Sequence, residues 1–298
     1  MNIFDVFVQA FTEENDEEKL IDIAQGLAAL SKVQTDESLA VVAGMKQQNT
    51  GALIRRMAEL LGSQKESLFV PALTYFGGIL GAEDEQAIDF ALEADIFERL
   101  MDNMHACSPK ALKECLWTIS NITASQSSTK YQRAFLQSSI ASQVISLASS
   151  ASADVAAEAL WSLCNTVTCG GSDERRDLFS LEHGDCVPAL VGGLSQKPSM
   201  ISNKLILNIL ESLKLLLQQD ASLPREGEER SVFAKLAATD IEARLVALAQ
   251  HPQQKVFDLS QDLKELFMYY QDKWSGHEGI DELDDNTDMN GNGARFVI

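Results

Sequence analysis

Two short patterns in this sequence have the residue types and spacing to do chemistry: Trp117-x-x-x-Asn121 and Trp161-x-x-x-Asn165. Four residues on a helix bring side chains back to the same face, one turn apart. An indole is a flat wall for the four-carbon stem of a lysine, and its face attracts the ammonium by ~0.5–2 kcal/mol. A carboxamide both donates and accepts, so it can hold a peptide's C=O and N–H without demanding one sequence. Glu114 and Glu158 each lie three residues before a Trp, on the same helical face, where carboxylates can neutralise ammonium groups. Asp84 begins the helix after Leu80, near the same rim. Together these residues suit the capture of an extended basic peptide.

Reaction chemistry is not written here in the same way. His105, His183, His251 and His277 are scattered without ligand or base spacing. There is no G-x-S-x-G elbow, no Walker A loop and no G-x-G-x-x-G turn. Asn286 to Gly291 resembles the front of a calcium loop, but its twelfth position is Val297 rather than Glu. We therefore expect a non-enzyme with no cofactor and no metal. The five cysteines form no C-x-x-C, and Cys115 and Cys164 sit inside apolar helical runs, as small hydrophobes do in a reducing compartment.

The formal net charge is −20, which repels nucleic acid and steers a basic partner inward. No apolar run approaches membrane-spanning length, and the N-terminus MNIFDVFVQAFTEEND lacks the basic start of a secretory signal. With 45% hydrophobic residues the chain has ample material for a core.

The elements that must position the two patterns recur. KLIDIAQGLAALSKV, SLFVPALTYFGGIL, KALKECLWTISNITA, DVAAEALWSLCNTVT and SNKLILNILESLKLLLQQ each read as a long amphipathic helix closing a three-helix unit. Their matching positions are Ala28, Thr74, Trp117, Trp161 and Asn208, separated by 46, 43, 44 and 47 residues. That is close to the ~40–47-residue period of armadillo and HEAT repeats. Shorter helices precede the long ones: DEQAIDFALEA and DIFERLMDNMHA, TKYQRAFLQSS and IASQVISLASS, DERRDLFSLEH and DCVPALVGGLSQ. Ser108-Pro109 supplies an N-cap and a first-turn proline, and Gly170-Gly171 ends the Trp161 helix. No unit can bury its apolar face alone, so the units must stack into an all-α, right-handed superhelical solenoid with an inner groove. The third helices line that groove, which would place two Trp and two Asn in parallel rows.

Residues 1–274 read as this solenoid, with a partial unit at 3–12, a polar linker at 220–230 and a last unit at 231–274; residues 275–298 read as a disordered acidic tail.

On these motifs the chain resembles the C-terminal armadillo repeats of the importin-α (karyopherin-α) family. LWTISNITA is similar to the seventh repeat and EALWSLCNTVTCGG to the eighth. VPALTYFGGILGAEDEQ is similar to the sixth, ILNILESLKLLL to the ninth, and ATDIEARLVALAQHPQQKVFDLSQDLKELF to the tenth. The likeness covers roughly residues 20–274. It implies a nuclear import adaptor that shuttles between cytoplasm and nucleus. Nuclear localisation peptides would occupy a minor-site-like groove built by Trp117, Asn121, Trp161 and Asn165, with Glu114, Glu158 and Asp84 as acidic partners. It also implies contact between the last repeats and the importin-α export receptor. The family's basic importin-β-binding segment and its major-site repeats are not matched, and EENDEE stands near the N-terminus, so coupling to importin-β is not expected. At the fifth and sixth repeats the groove positions read Ala28/Lys32 and Thr74/Gly78. A non-transport armadillo scaffold for another protein is the alternative, and it would show no preference for basic peptides.

Overall fold

The computed structural model describes residues 3–32, 50–80, 85–150, 152–180, 185–194, 201–220 and 231–274. Asp84, the linker at 221–230, the calcium-loop-like stretch and the acidic tail lie outside the described residues. Every described element is a helix. They are α1 (Ile3–Glu13), α2 (Glu17–Lys32), α3 (Thr50–Leu61), α4 (Glu66–Leu80), α5 (Glu85–Glu93), α6 (Ile96–Met104), α7 (Pro109–Thr123) and α8 (Lys130–Gln137). Then come α9 (Ile140–Ser150), α10 (Ala153–Cys169), α11 (Ser172–Ser180), α12 (Cys186–Gly193), α13 (Asn203–Asp220), α14 (Val232–Ala237), α15 (Ile241–Leu248) and α16 (Gln254–Trp274).

The six long helices α2, α4, α7, α10, α13 and α16 form one continuous row, each packed on the next. A second row, α1, α3, α6, α9 and α12, packs behind it. This is an all-α solenoid in which a long helix is enclosed by its two row-mates and by the helix behind it. Such a helix must be apolar over most of its circumference. On α7, Ala111, Cys115, Leu116, Ile119 and Ile122 are fully buried, and on α10 so are Ala159, Leu160, Leu163, Cys164 and Val167. Along the middle of each helix a stripe at three- and four-residue spacing stays half-buried: Glu114, Trp117 and Asn121 on α7, and Glu158, Trp161 and Asn165 on α10.

Local chemistry sets the helix ends. Ser108 caps α7, its hydroxyl accepting from the Ala111 amide, with Pro109 in the first turn. Buried Gln132 donates to the Thr123 and Ser125 carbonyls beyond the other end of α7. Gly170 does end α10, but not through a left-handed turn: its backbone is extended, at φ −75 and ψ 162. Glycine is needed there because a Cβ would overlap the Thr166 carbonyl oxygen and stand 3.0 Å from Glu174 Cβ. The one described non-glycine residue at positive φ is Asp95 (φ 54), at the corner between α5 and α6, a conformation that a short polar side chain tolerates. All five cysteines are free thiols. Among the described residues no helix is long and apolar enough to cross a membrane.

Candidate functional site

The structure brings six of the seven expected site residues together on two adjacent helices. Trp117, Asn121 and Glu114 share the open stripe of α7; Trp161, Asn165 and Glu158 share that of α10. All six are half-buried. Both indoles are half-buried rather than sealed in the core, and Trp161 packs against core residues. Asp84 lies outside the described residues and cannot be placed with them.

The asparagines do more within the solenoid than their residue type announces. Asn121 Nδ2 donates to the Gly77 carbonyl of α4 at 2.8 Å, and Asn165 Nδ2 donates to the Ser120 carbonyl of α7 at 2.9 Å. Gly77 and Ser120 occupy the same place in successive units, so this is one contact made twice. Each amide spends one N–H on the preceding helix. That leaves its Oδ1 and a second N–H without a partner among the described residues, enough for one acceptor and one donor of a peptide backbone. Hydroxyls reinforce the same joints: Thr118 Oγ1 donates to the Leu73 carbonyl and Ser162 Oγ to the Leu116 carbonyl, each at 3.4 Å.

Trp117 is seated on glycine. A Cβ on Gly77 would overlap Cζ3 and Cε3 of the Trp117 ring and stand 3.0 Å from Cη2, so the indole lies directly against the bare backbone of α4. Gly77 thus meets both side chains of the α7 pair, the indole through its Cα and the amide through its carbonyl.

Electrostatics single out Glu158. No hydrogen bond or ion pair engages its carboxylate among the described residues, yet it is half-buried beside Trp161. Burial pushes its carboxyl above the usual range; Lys113 pulls the other way, and Glu114 and Asp154 add to the rise. A half-desolvated, unpaired carboxylate next to an indole is a place where an incoming ammonium gains most.

One correction concerns the unit after Trp161. The hydroxyls of Thr118, Ser162 and Ser212 each donate to the carbonyl four residues back, and each follows a half-buried residue on the open stripe. By that match the residue equivalent to Trp117 and Trp161 is Glu211, not Asn208, and Leu215 takes the Asn position. Asn208 instead matches Glu114 and Glu158. The helix starts three residues later in its unit than the sequence period suggests. Glu211 is therefore a further carboxylate in the row, half-buried beyond Trp161. The recurring hydroxyl directly after the stripe residue was the sequence signal for it.

Upstream, Thr74 and Gly78 occupy the row positions on α4, and a Cβ on Gly78 would overlap Ser31 of α2. The two indoles are therefore flanked by positions that carry no further Trp/Asn pair. No group of three or more potential metal ligands exists among the described residues.

With that geometry in view, the class of protein is clear: this is an armadillo-repeat solenoid fold. A designed armadillo repeat protein superposes at a TM-score of 0.69 and 19% identity, covering 89% of this chain and 99% of that one. A second, solved in complex with the peptide (KR)4, gives 0.68 at 19% identity over the same shares. A third, computationally designed for modular peptide recognition, gives 0.70 at 19% identity, again over 89% of this chain and 99% of that one. No family profile matches the chain. Among natural proteins, the chain is similar to importin subunit alpha-1a of Oryza sativa subsp. japonica, with 34% identity over 113 residues. That match spans 37% of this chain and only 20% of the rice protein.

Proposed function

We propose that the chain is a peptide-binding adaptor whose long-helix row captures an extended lysine- or arginine-rich segment, such as a nuclear localisation signal of an import cargo. The observation that carries this reading is the pairing of two half-exposed indoles, in register on adjacent helices, with the unpaired carboxylate of Glu158. A lysine stem between Trp117 and Trp161 would bury its methylenes on both rings, while Glu158, and Glu211 one unit on, would receive ammonium groups. The free Oδ1 and N–H of Asn121 and Asn165 would hold the ligand backbone. Binding of this kind is equilibrium capture and needs no catalytic group. An import adaptor would work in both cytoplasm and nucleus, and its last units would be free to meet an export receptor.

The second reading, an armadillo scaffold outside transport, is favoured by one feature. The Trp/Asn pair occurs in only two successive units, bounded by Thr74/Gly78 and Glu211/Leu215. Titration of a labelled lysine-rich peptide against wild type, Trp117→Ala and Trp161→Ala, at two salt concentrations, separates the readings. The import reading expects each Ala variant to bind several-fold more weakly, given the size of a cation–π contact, and wild-type affinity to fall with salt. Equal binding of a basic and a neutral peptide would favour the scaffold.

A further inference from the structure

We propose that Lys113 is a specificity-determining residue of the peptide site: it faces Glu158 across the α7–α10 joint, competes with a ligand ammonium for that carboxylate, and so sets how strongly basic a segment must be to bind. This rests on the peptide-binding reading of the groove. The register of the joint places the two side chains. Asn165 of α10 donates to the Ser120 carbonyl of α7, 45 residues back, and Ser162 donates to the Leu116 carbonyl, 46 residues back. The two helices therefore run side by side in the same direction. Lys113 lies about two helical turns before Ser120, and Glu158 about two turns before Asn165, so the same register sets them opposite one another. The electrostatics agree. Of the charges acting on the Glu158 carboxyl, Lys113 is the strongest and favours the ionised form, whereas Glu114 and Asp154 oppose it.

Lys113 is exposed, and its ammonium stands at the end of a flexible four-carbon stem. It forms no ion pair with Glu158, so the carboxylate stays available to a ligand. It nevertheless brings a positive charge to the place where a ligand's charge must arrive. A peptide lysine then gains only what its own ammonium adds beyond the resident one. The neighbouring joints are built without such a cation. In the register of the Asn121 bond to Gly77, Glu114 of α7 stands against the apolar Val70 of α4. On α10, Ala157 occupies the place that Lys113 holds on α7. One resident lysine thus distinguishes the Glu158 slot from the slots on either side, and a single isolated lysine is a poorer ligand there than a basic run that also reaches Glu211.

The test is a fluorescent lysine-rich peptide titrated against wild type, Lys113→Gln, Glu158→Gln and the double variant, at low and at high salt. Lys19→Gln, which removes an exposed lysine of α2, controls for net charge. Repulsion between like charges in water is modest and screened, so Lys113→Gln should bind about two- to threefold more tightly than wild type at low salt, and the gain should fade at high salt. Lys19→Gln should gain less. With Glu158 already Gln there is no carboxylate to compete for, and Lys113→Gln should then gain no more than Lys19→Gln does. The proposal is overturned if Lys113→Gln binds like wild type or more weakly, if its gain only equals that of Lys19→Gln, or if the gain is undiminished in the Glu158→Gln background. The placing of Lys113 has a readout of its own. Without peptide, NMR titration of the Glu158 carboxyl should shift upward in Lys113→Gln, and an unmoved titration also overturns the proposal. If wild type binds no basic peptide, the groove reading fails. The Glu158 titration then still decides whether Lys113 faces that carboxylate.

Discussion

Replacing Glu158 by Gln should move stability and binding in opposite directions. The carboxylate is half-buried, without hydrogen bond or ion pair among the described residues, and burial holds its carboxyl above the ordinary range. A carboxyl whose folded pKa is raised costs nothing in acid, where it is protonated in both states, and detracts from stability as pH climbs through the raised value. Glu158→Gln should therefore raise the melting temperature slightly at neutral pH and leave it unchanged in acid. A peptide ammonium works the other way, because it favours the ionised form. A hydrogen bond to a charged partner contributes ~1.5–3 kcal/mol when enclosed. Half exposure and screening reduce this to ~1 kcal/mol, or about fivefold in Kd. Wild-type affinity should rise with pH just above the ordinary carboxylate range and then level off, whereas the Gln variant should be weaker and flat there. Fluorescence anisotropy across pH, with thermal melts on the same samples, measures both. A Glu158→Gln protein that loses stability, or that binds as tightly as wild type at neutral pH, would refute the reasoning.

Two further predictions concern the layers behind the groove. Glu174 has a side chain only 3% exposed and pairs with Arg133 of the preceding unit at 2.6 Å. Burial alone would raise its carboxyl, but Arg133, with the Glu174 and Gly171 amides, draws it below the usual range. Its stabilising contribution is present above the unfolded value and is lost as pH falls through the depressed one. Arg133→Ala should cost ~1–2 kcal/mol in urea unfolding at neutral pH, since the arginine is half exposed, and should flatten the loss of stability on acidification. Among the thiols, Cys107 should react first with a disulfide reagent in the native protein, because the Cys115 thiol, hydrogen-bonded to it, holds it below the ordinary thiol range. Cys164 and Cys186, pushed up to about 12 by burial, should react only on unfolding, as time-resolved labelling with mass spectrometry would show.

Much of the fold was legible because helix period and repeat period are both local properties of the sequence. The Ser108-Pro109 start of α7 and the Trp/Asn stripe on α7 and α10 follow from residue type and spacing alone. What was hidden depends on how one helix is offset against the next. Nothing in W-x-x-x-N says that the Asn amide spends a donor on a carbonyl 44 or 45 residues earlier, or that Trp117 rests on Gly77. The Arg133–Glu174 pair joins positions 41 residues apart, across a boundary between units that no local pattern marks. The placing of Asn208 on the Trp row failed for a related reason: extra residues before α13 shift its start, and a period counted along the chain absorbs that shift into the wrong residue. Glu158 was nameable as an acid on the right face, but its lack of a partner is a property of the assembled surroundings.

Side-chain bonds to backbone carbonyls across neighbouring long helices have a mechanical consequence. Ser162 and Asn165 tie α10 to α7, Thr118 and Asn121 tie α7 to α4, and the Ser31 hydroxyl ties α2 to the Thr74 carbonyl at 3.3 Å. From α2 to α10 the row of long helices is pinned at three successive joints, like the spine of a book. If the coil flexes under load, the outer helices fan apart while the pitch of the rungs holds, so a bound chain would meet a ruler whose markings do not stretch.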